Sequence, residues 1–212
     1  MPATQEGLAR LVAKEGVSER VVQAFRAVDR ADFVPEHARD RAYEDRPIEI
    51  LEGQTTSQPT LIARMIDELQ LLKDSSVLEV GSGFGFQTAL LAALAGRVIS
   101  LDRHPSLVES ARRNLERAGV SGTDVRLGDG FEGAVEDAPF DGIVVSAGVP
   151  EVPEALAEQL AENGRLVIPL SGVFGEEVVT FVKRGGKLRR VRTVSPARFV
   201  PLIRGIGSKG RQ

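Results

Sequence analysis

SVLEVGSGFGFQTALL, residues 76–91, passes from one apolar run through Gly81, Gly83 and Gly85 into another. Val77–Val80 has the β-branched, water-avoiding character of a short buried strand, and Gln87 to Ala95 has the length and spacing of a helix. The intervening glycines permit unusual φ angles and let another molecule approach the backbone closely. Open α/β sheets bind ligands at such places, beyond the carboxyl ends of their strands. The unpaired N–H groups that begin the following helix favour a carboxylate or phosphate. The same stretch also fits a tight structural turn with no ligand, so other residues must separate the two readings.

Downstream, strands and helices alternate. Val98–Leu101 predicts a strand, Pro105–Ala118 a helix stopped by Gly119, and Val125–Leu127 a short strand. Phe140–Ser146 is strongly β-branched, Pro153–Ala161 is helical in pattern, and Arg165–Leu170 is again strand-like. Val178–Val182, Leu188–Val194 and Phe199–Leu202 predict late strands with no helices between them. The alternation predicts a mostly parallel sheet with helices on both faces, and the short late links predict antiparallel pairing at its end.

Upstream, Leu8, Leu11 and Val12, then Val21, Val22, Phe25 and Val28, have helical spacing, with Ser18 placed to cap the second helix. Asp45 to Pro59 is rich in turns, and Pro59 suits the first position of a helix through Ile62, Met65, Ile66 and Leu69. Three regions follow: residues 1–75 as a helical lobe packed on the main domain; residues 76–205 as a Rossmann-like cofactor-binding domain; and residues 206–212 as a flexible tail.

The glycine loop departs from the dinucleotide fingerprint, because Phe86 stands where G-x-G-x-x-G needs its third glycine. Its form is E-V-G-x-G-x-G, led by Glu79, a pattern commoner where the ligand is S-adenosylmethionine. Asp102 closes the second strand about 20 residues on, where an acid can accept hydrogen bonds from ribose hydroxyls. It is equally placed to cap the helix that begins at Pro105. Arg103 beside it belongs to the same expected cofactor site, with Gly81, Ser82 and Gly83. Gly128-Asp129-Gly130 follows the third strand, where an acid commonly meets the adenine amino group; an ordinary Asp-Gly turn is the alternative. A mostly parallel sheet with an antiparallel end is the layout of class I methyltransferases.

Composition narrows the chemistry. The 212 residues are 42% hydrophobic and 27% charged, which suits one compact domain with a small lobe. With no cysteine, disulfides, thiol nucleophiles and cysteine-held zinc are excluded. A formal charge of -3 shows no basic excess for nucleic acid, and the Arg189, Arg190 and Arg192 cluster reads as a solvated edge strand. There is no signal-like start and no apolar run of membrane-spanning length, so the expectation is a cytoplasmic protein without membrane or metal.

Several segments resemble the protein-L-isoaspartate O-methyltransferase family. GQTTSQP at 53–59 resembles its G-Q-T-I-S-x-P signature, and Tyr43, Asp45 and Pro47 resemble its lead-in. The glycine loop, GDG at 128–130, APFD at 138–141, PEALAEQL at 153–160, GRLVIP at 164–169 and RFVPL at 198–202 complete an ordered match over nearly the whole chain. Thr56, Phe84, Phe86, Thr60-Leu61 and Ser171-Gly172 depart from the family pattern, which touches substrate preference more than methyl transfer.

The resemblance implies transfer of a methyl group from S-adenosylmethionine to the free carboxylate of L-isoaspartyl residues in damaged proteins or peptides, releasing S-adenosylhomocysteine. It implies Ser57 as the catalytic residue, through a hydrogen bond that orients the carboxylate, although Ser57 also fits a helix cap. Gln54, Thr55, Glu79, Gly81, Ser82, Gly83, Asp102, Arg103, Asp129 and Gly130 would hold the cofactor. Thr56, Ser57, Arg198, Val200 and Pro201 would meet the substrate, with the chain acting as a monomer. Alternatives are a methyltransferase for another acceptor (the aspartate of a dedicated peptide, a small molecule or RNA), a nicotinamide dehydrogenase, and an inactive cofactor-binding module.

Overall fold

A computed structural model describes residues 4–172 and 175–207. Seven strands form one sheet in the order β3-β2-β1-β4-β5-β6-β7. These are β1 (Ser76–Val80), β2 (Arg97–Asp102), β3 (Thr123–Leu127), β4 (Phe140–Val145), β5 (Leu160–Gly172), β6 (Gly175–Arg184) and β7 (Lys187–Ala197). The first five run parallel, and β6 and β7 turn back as an antiparallel meander. The helices are α1 (Gln5–Ala13), α2 (Glu19–Ala27), α3 (Pro59–Glu68), α4 (Phe86–Ala92), α5 (Pro105–Arg117) and α6 (Glu154–Gln159). The expected class I architecture is therefore present.

Period-two alternation sorts the strand residues between two cores. Val77, Val98, Val144 and Val167 face one side and pack with α1 to α5. Leu78, Ile99, Ile143 and Leu166 face the other and pack with Leu156 of α6. Strands covered on both faces explain why their sequences are nearly continuous in apolar residues. Phe86, which breaks the dinucleotide pattern, opens α4 and meets Phe25 edge-on at 5.7 Å between ring centroids. Its aromatic bulk thus ties the N-terminal helices to the glycine loop.

The sequence reading needs correction in several places. Phe199–Leu202 is no strand: it makes one isolated parallel bridge, between Gly148 and Pro201. Gly148 donates to Val200 O at 2.8 Å and accepts from Leu202 N at 2.8 Å. Pro201 has no N–H with which to extend a ladder. β5 begins at Leu160, so it takes residues expected in the preceding helix and carries a register shift opposite Phe140 and Gly142. Ser18 stands at the N-cap of α2 without a side-chain cap bond. β7 is the sheet edge, where Arg190 pairs with Glu177 at 3.0 Å and Arg192 with Glu68 at 3.3 Å. Within the expected tail, Gly207 donates to Arg103 O at 2.7 Å, and residues 208–212 lie outside the described residues. Among the described residues, no helix is long and apolar enough to cross a membrane.

Candidate active site

The floor of the first of two adjoining cavities is the loop from β1 to α4. Gly81, Gly83 and Gly85 have φ of 100°, 53° and 93°, a region that side chains other than glycine enter at a cost. A Cβ on Gly81 would stand 3.2 Å from Ser146 Cβ, and one on Gly130 would stand 2.4 Å from Val80 Cγ1. The loop is tied to β2, since Gly81 N and Ser82 N donate to Leu101 O at 2.7 and 3.2 Å. Gly83 N donates to Asp102 Oδ2 at 3.1 Å.

Asp102 stands at the end of β2, two residues before His104, which occupies the N-cap position of α5. It lines the cavity, and its Oδ1 accepts the N–H of His104 at 3.0 Å, where α5 begins. Burial raises its pKa, against the pull of those backbone donors. Arg103 also lines the cavity, and its Nε donates to Gly205 O at 3.2 Å.

Glu79 was expected to touch the cofactor, yet it is fully buried behind the loop and forms no part of the cavity wall. Its Oε2 accepts from Thr88 Oγ1 at 2.5 Å and Ser100 Oγ at 2.6 Å, and the Ser100 hydroxyl lies 2.6 Å from that of Ser82. Its Oε1 has no hydrogen-bond partner among the described residues. Burial outweighs the hydroxyl donors and pushes its pKa up to about 7. Asp129, expected at the adenine, also stands off the wall. Its carboxylate accepts Phe131 N at 2.9 Å and Gly205 N at 2.5 Å, so it anchors the segment after Pro201. Its neighbours Gly128 and Gly130 do line the cavity, with Leu202 and Ile203 of the anchored segment.

The second element is the turn-rich stretch before α3. Ile50 N donates to Gln54 O and Thr56 N to Ile48 O, both at 2.8 Å, folding residues 48–56 back on themselves. Gln54, Thr55, Thr56 and Ser57 thereby line the glycine-loop cavity. A second cavity lies beyond, lined by Thr55 to Gln58, Arg64 and residues 195–200. Thr55, Thr56, Ser57, Ser146 and Val200 border both, so Ser57 stands where the two meet. Pro201 borders only the first, and Arg198 is an exposed cation on the second.

Ser57 is not the cap of α3. Gln58 occupies the N-cap position, and Asp45 does the capping, accepting Thr60 N at 2.9 Å, Thr60 Oγ1 at 2.9 Å and Gln58 Nε2 at 2.8 Å. The Ser57 hydroxyl is thus free of the structural duty the sequence offered it. Sequence reasoning also missed Ser146, at the end of β4, and the fully buried Arg30. Ser146 could have been found from its position just past a strand terminus, where such sheets bind ligands.

This cavity fits S-adenosylmethionine in kind. It has a glycine floor without side chains, the carboxylate of Asp102 at the strand end, and apolar walls from Ile50, Leu101, Leu107 and Leu202 that suit a nucleoside. Among the described residues, no group of His, Cys, Asp and Glu is placed to hold a metal ion.

A family model described as protein-L-isoaspartate(D-aspartate) O-methyltransferase matches residues 3–207. The protein-L-isoaspartate O-methyltransferase of Methanoculleus marisnigri is 45% identical over 192 residues, covering 91% of this chain and 87% of that one. That of Methanothrix thermoacetophila is 47% identical over 196 residues, covering 91% and 92%. A solved protein-L-isoaspartate O-methyltransferase superposes with a TM-score of 0.84 at 31% identity, covering 93% of this chain, which spans 65% of that longer chain. The structure of a second such enzyme, described as putative, from Plasmodium falciparum in complex with S-adenosyl-L-homocysteine gives a TM-score of 0.81 at 26% identity, covering 95% and 99%.

Proposed function

The chain belongs to the protein-L-isoaspartate(D-aspartate) O-methyltransferase family, and on that premise we propose that it methylates the free carboxylate of L-isoaspartyl residues in damaged proteins and peptides. Bound S-adenosylmethionine supplies an electrophilic methyl group, whose transfer to a carboxylate oxygen leaves S-adenosylhomocysteine. The ester formed on the substrate then closes to a succinimide, whose hydrolysis returns some of the material to normal aspartate.

The observation that carries this reading is the meeting of two cavities at Ser57. One is built for a nucleoside cofactor, and the other opens beside it toward exposed residues of the 195–200 segment. Gly81, Ser82, Gly83, Asp102 and Arg103 would hold the cofactor, together with Gln54, Thr55 and Gly130 of the same lining. Glu79 and Asp129 serve from behind the wall, the first through its hydroxyl network and the second by anchoring Gly205.

A carboxylate is already ionised at pH 7, so the chain has no need of a general base. Its task is to bring oxygen and methyl group into line and to keep water out. The Ser57 hydroxyl orients the acceptor carboxylate by donating a hydrogen bond to it. Arg198 adds a positive charge on the substrate side, with Thr56, Val200 and Pro201 forming the adjoining wall. One chain supplies both cavities, so the reading includes action as a monomer. A cysteine-free chain suits a reducing cytoplasm.

The test is methyl transfer to two synthetic peptides that differ only in carrying L-isoaspartate or L-aspartate at one position, with wild-type protein and Ser57→Ala. Transfer to the isoaspartyl peptide alone is expected. Ser57→Ala should lower kcat about 10- to 100-fold, the worth of one hydrogen bond to a charged group. Transfer to the aspartyl peptide alone would overturn the acceptor assignment, and unchanged turnover in Ser57→Ala would remove Ser57 from the chemistry.

A further inference from the structure

We propose that Arg30 is the positioning residue of Ser57, gripping from inside the protein both segments that determine where Ser57 stands. The proposal rests on the reading of Ser57 given above. Arg30 opens a single 3-10 turn (Arg30–Phe33) after α2 and is entirely buried. Its Nη1 donates to Ala42 O at 2.9 Å and Glu44 O at 2.8 Å. Its Nη2 donates to Arg46 O at 3.1 Å and to the Thr56 hydroxyl at 3.0 Å. Burial lowers its pKa to about 10, which leaves it cationic at neutral pH.

The acceptors are not scattered. Thr56 precedes Ser57 directly, and its Oγ1 takes the N–H of Ile48 at 3.0 Å as well as that of Arg30. Gln58 follows Ser57 directly and is bound by Asp45 at 2.8 Å. The carbonyls of Glu44 and Arg46, both gripped by Arg30, are those on either side of Asp45. A single guanidinium therefore fixes the residue before Ser57 directly, and the residue after it through the turn that presents Asp45.

The same group lies 5.8 Å from the centre of the Phe86 ring, which opens α4 at the end of the glycine loop. Arg30 thus relates the position of Ser57 to the floor on which the cofactor rests. A planar fork with fixed donor directions can serve four acceptors at once, which the single ammonium of lysine cannot reproduce. Displacing an aligned group by about 1 Å costs on the order of 100-fold in rate, so a buried arginine with no substrate contact can govern turnover.

The experiment compares Thr56→Val, Thr56→Ser, Arg30→Lys and the Arg30→Lys/Thr56→Val double variant. It measures kcat and KM for an isoaspartyl peptide, Kd for S-adenosylhomocysteine, and melting temperature. Thr56→Val keeps the side-chain shape and removes the acceptor. It is expected to lower kcat at least about tenfold while Kd stays within about twofold. Thr56→Ser restores the hydroxyl and should return kcat to within about threefold of wild type. In the Arg30→Lys background, Thr56→Val should add less than about threefold, because its bond to Arg30 is already lost and only that from Ile48 N remains to be broken.

Wild-type kcat in Thr56→Val, with turnover lost in Ser57→Ala, would overturn the proposal and leave the Ser57 reading standing. A full Thr56→Val effect on top of Arg30→Lys would also overturn it, by making Thr56 a direct substrate contact. Unchanged turnover in Ser57→Ala would instead bring down the Ser57 reading, and this proposal with it. Should Arg30→Lys fail to fold, the pair Thr56→Val and Thr56→Ser decides the matter, since equal loss in both excludes the hydroxyl as the cause.

Discussion

Replacing Glu79 by glutamine should change how stability depends on pH. Burial moves the Glu79 carboxyl from an ordinary value of 4.5 to about 7 in the folded protein. Below pH 4.5 it is protonated whether folded or not, and the native state carries no charge penalty. As pH rises, the unfolded chain gives up the proton first, so the native state loses ground until pH passes about 7. At about 1.36 kcal/mol per pH unit the whole loss is about 3 kcal/mol, of which about 2–3 falls between about pH 5 and 8. Glutamine keeps an oxygen for the Thr88 and Ser100 hydroxyls and places its amide where Oε1 has no partner. That substitution carries a constant cost, whereas the pH-dependent contribution disappears. The assay is urea unfolding of both proteins without cofactor at several pH values from about 5 to 8. Expected is a stability difference that shifts by about 2–3 kcal/mol in favour of the variant across that range. Parallel curves would refute the reasoning and show that Glu79 is ionised throughout at little cost.

Two other expectations concern the cofactor. Asp102→Ala should weaken S-adenosylhomocysteine binding by about 1–3 kcal/mol by calorimetry; unaltered affinity would take Asp102 out of the site. Asp129→Ala, although Asp129 does not itself line the cavity, should weaken the same binding by about 1–2 kcal/mol, because it frees Gly205 and loosens Leu202 and Ile203. An unchanged Kd there would mean that the anchored segment contributes nothing to binding.

Much of the fold was legible because the strands bury both faces. Val77–Val80 and Phe140–Val145 had to be nearly continuous in apolar residues, and that continuity is visible in one dimension. RFVPL at 198–202 misled because its apolar residues face a cavity and a single bridge partner, which local pattern cannot tell from a strand. Ser57 next to Gln58-Pro59 looked like a cap, since no local rule shows that a carboxylate 12 residues earlier, at Asp45, already does that work. The motifs of Glu79 and Asp129 suggest cofactor contacts, and both residues stand behind the wall of the glycine-loop cavity. Whether a side chain faces the cavity or the protein behind it depends on packing that only three-dimensional structure supplies. Arg30 carried no signal at all: in Asp29-Arg30-Ala31-Asp32 it reads as one charge among others, and its four acceptors lie 12 to 26 residues away.

One wall of the cofactor cavity, residues 202 and 203, lies outside the sheet and is held by a few backbone contacts to Gly148, Arg103 and Asp129. Each such hydrogen bond has a net worth of about 1 kcal/mol, and they can break in succession without disturbing a strand. That wall can therefore give way locally while the N-terminal helices stay packed against the sheet. The shape of that wall thus rests on contacts that can be removed one at a time, whereas the glycine floor is fixed between two strands.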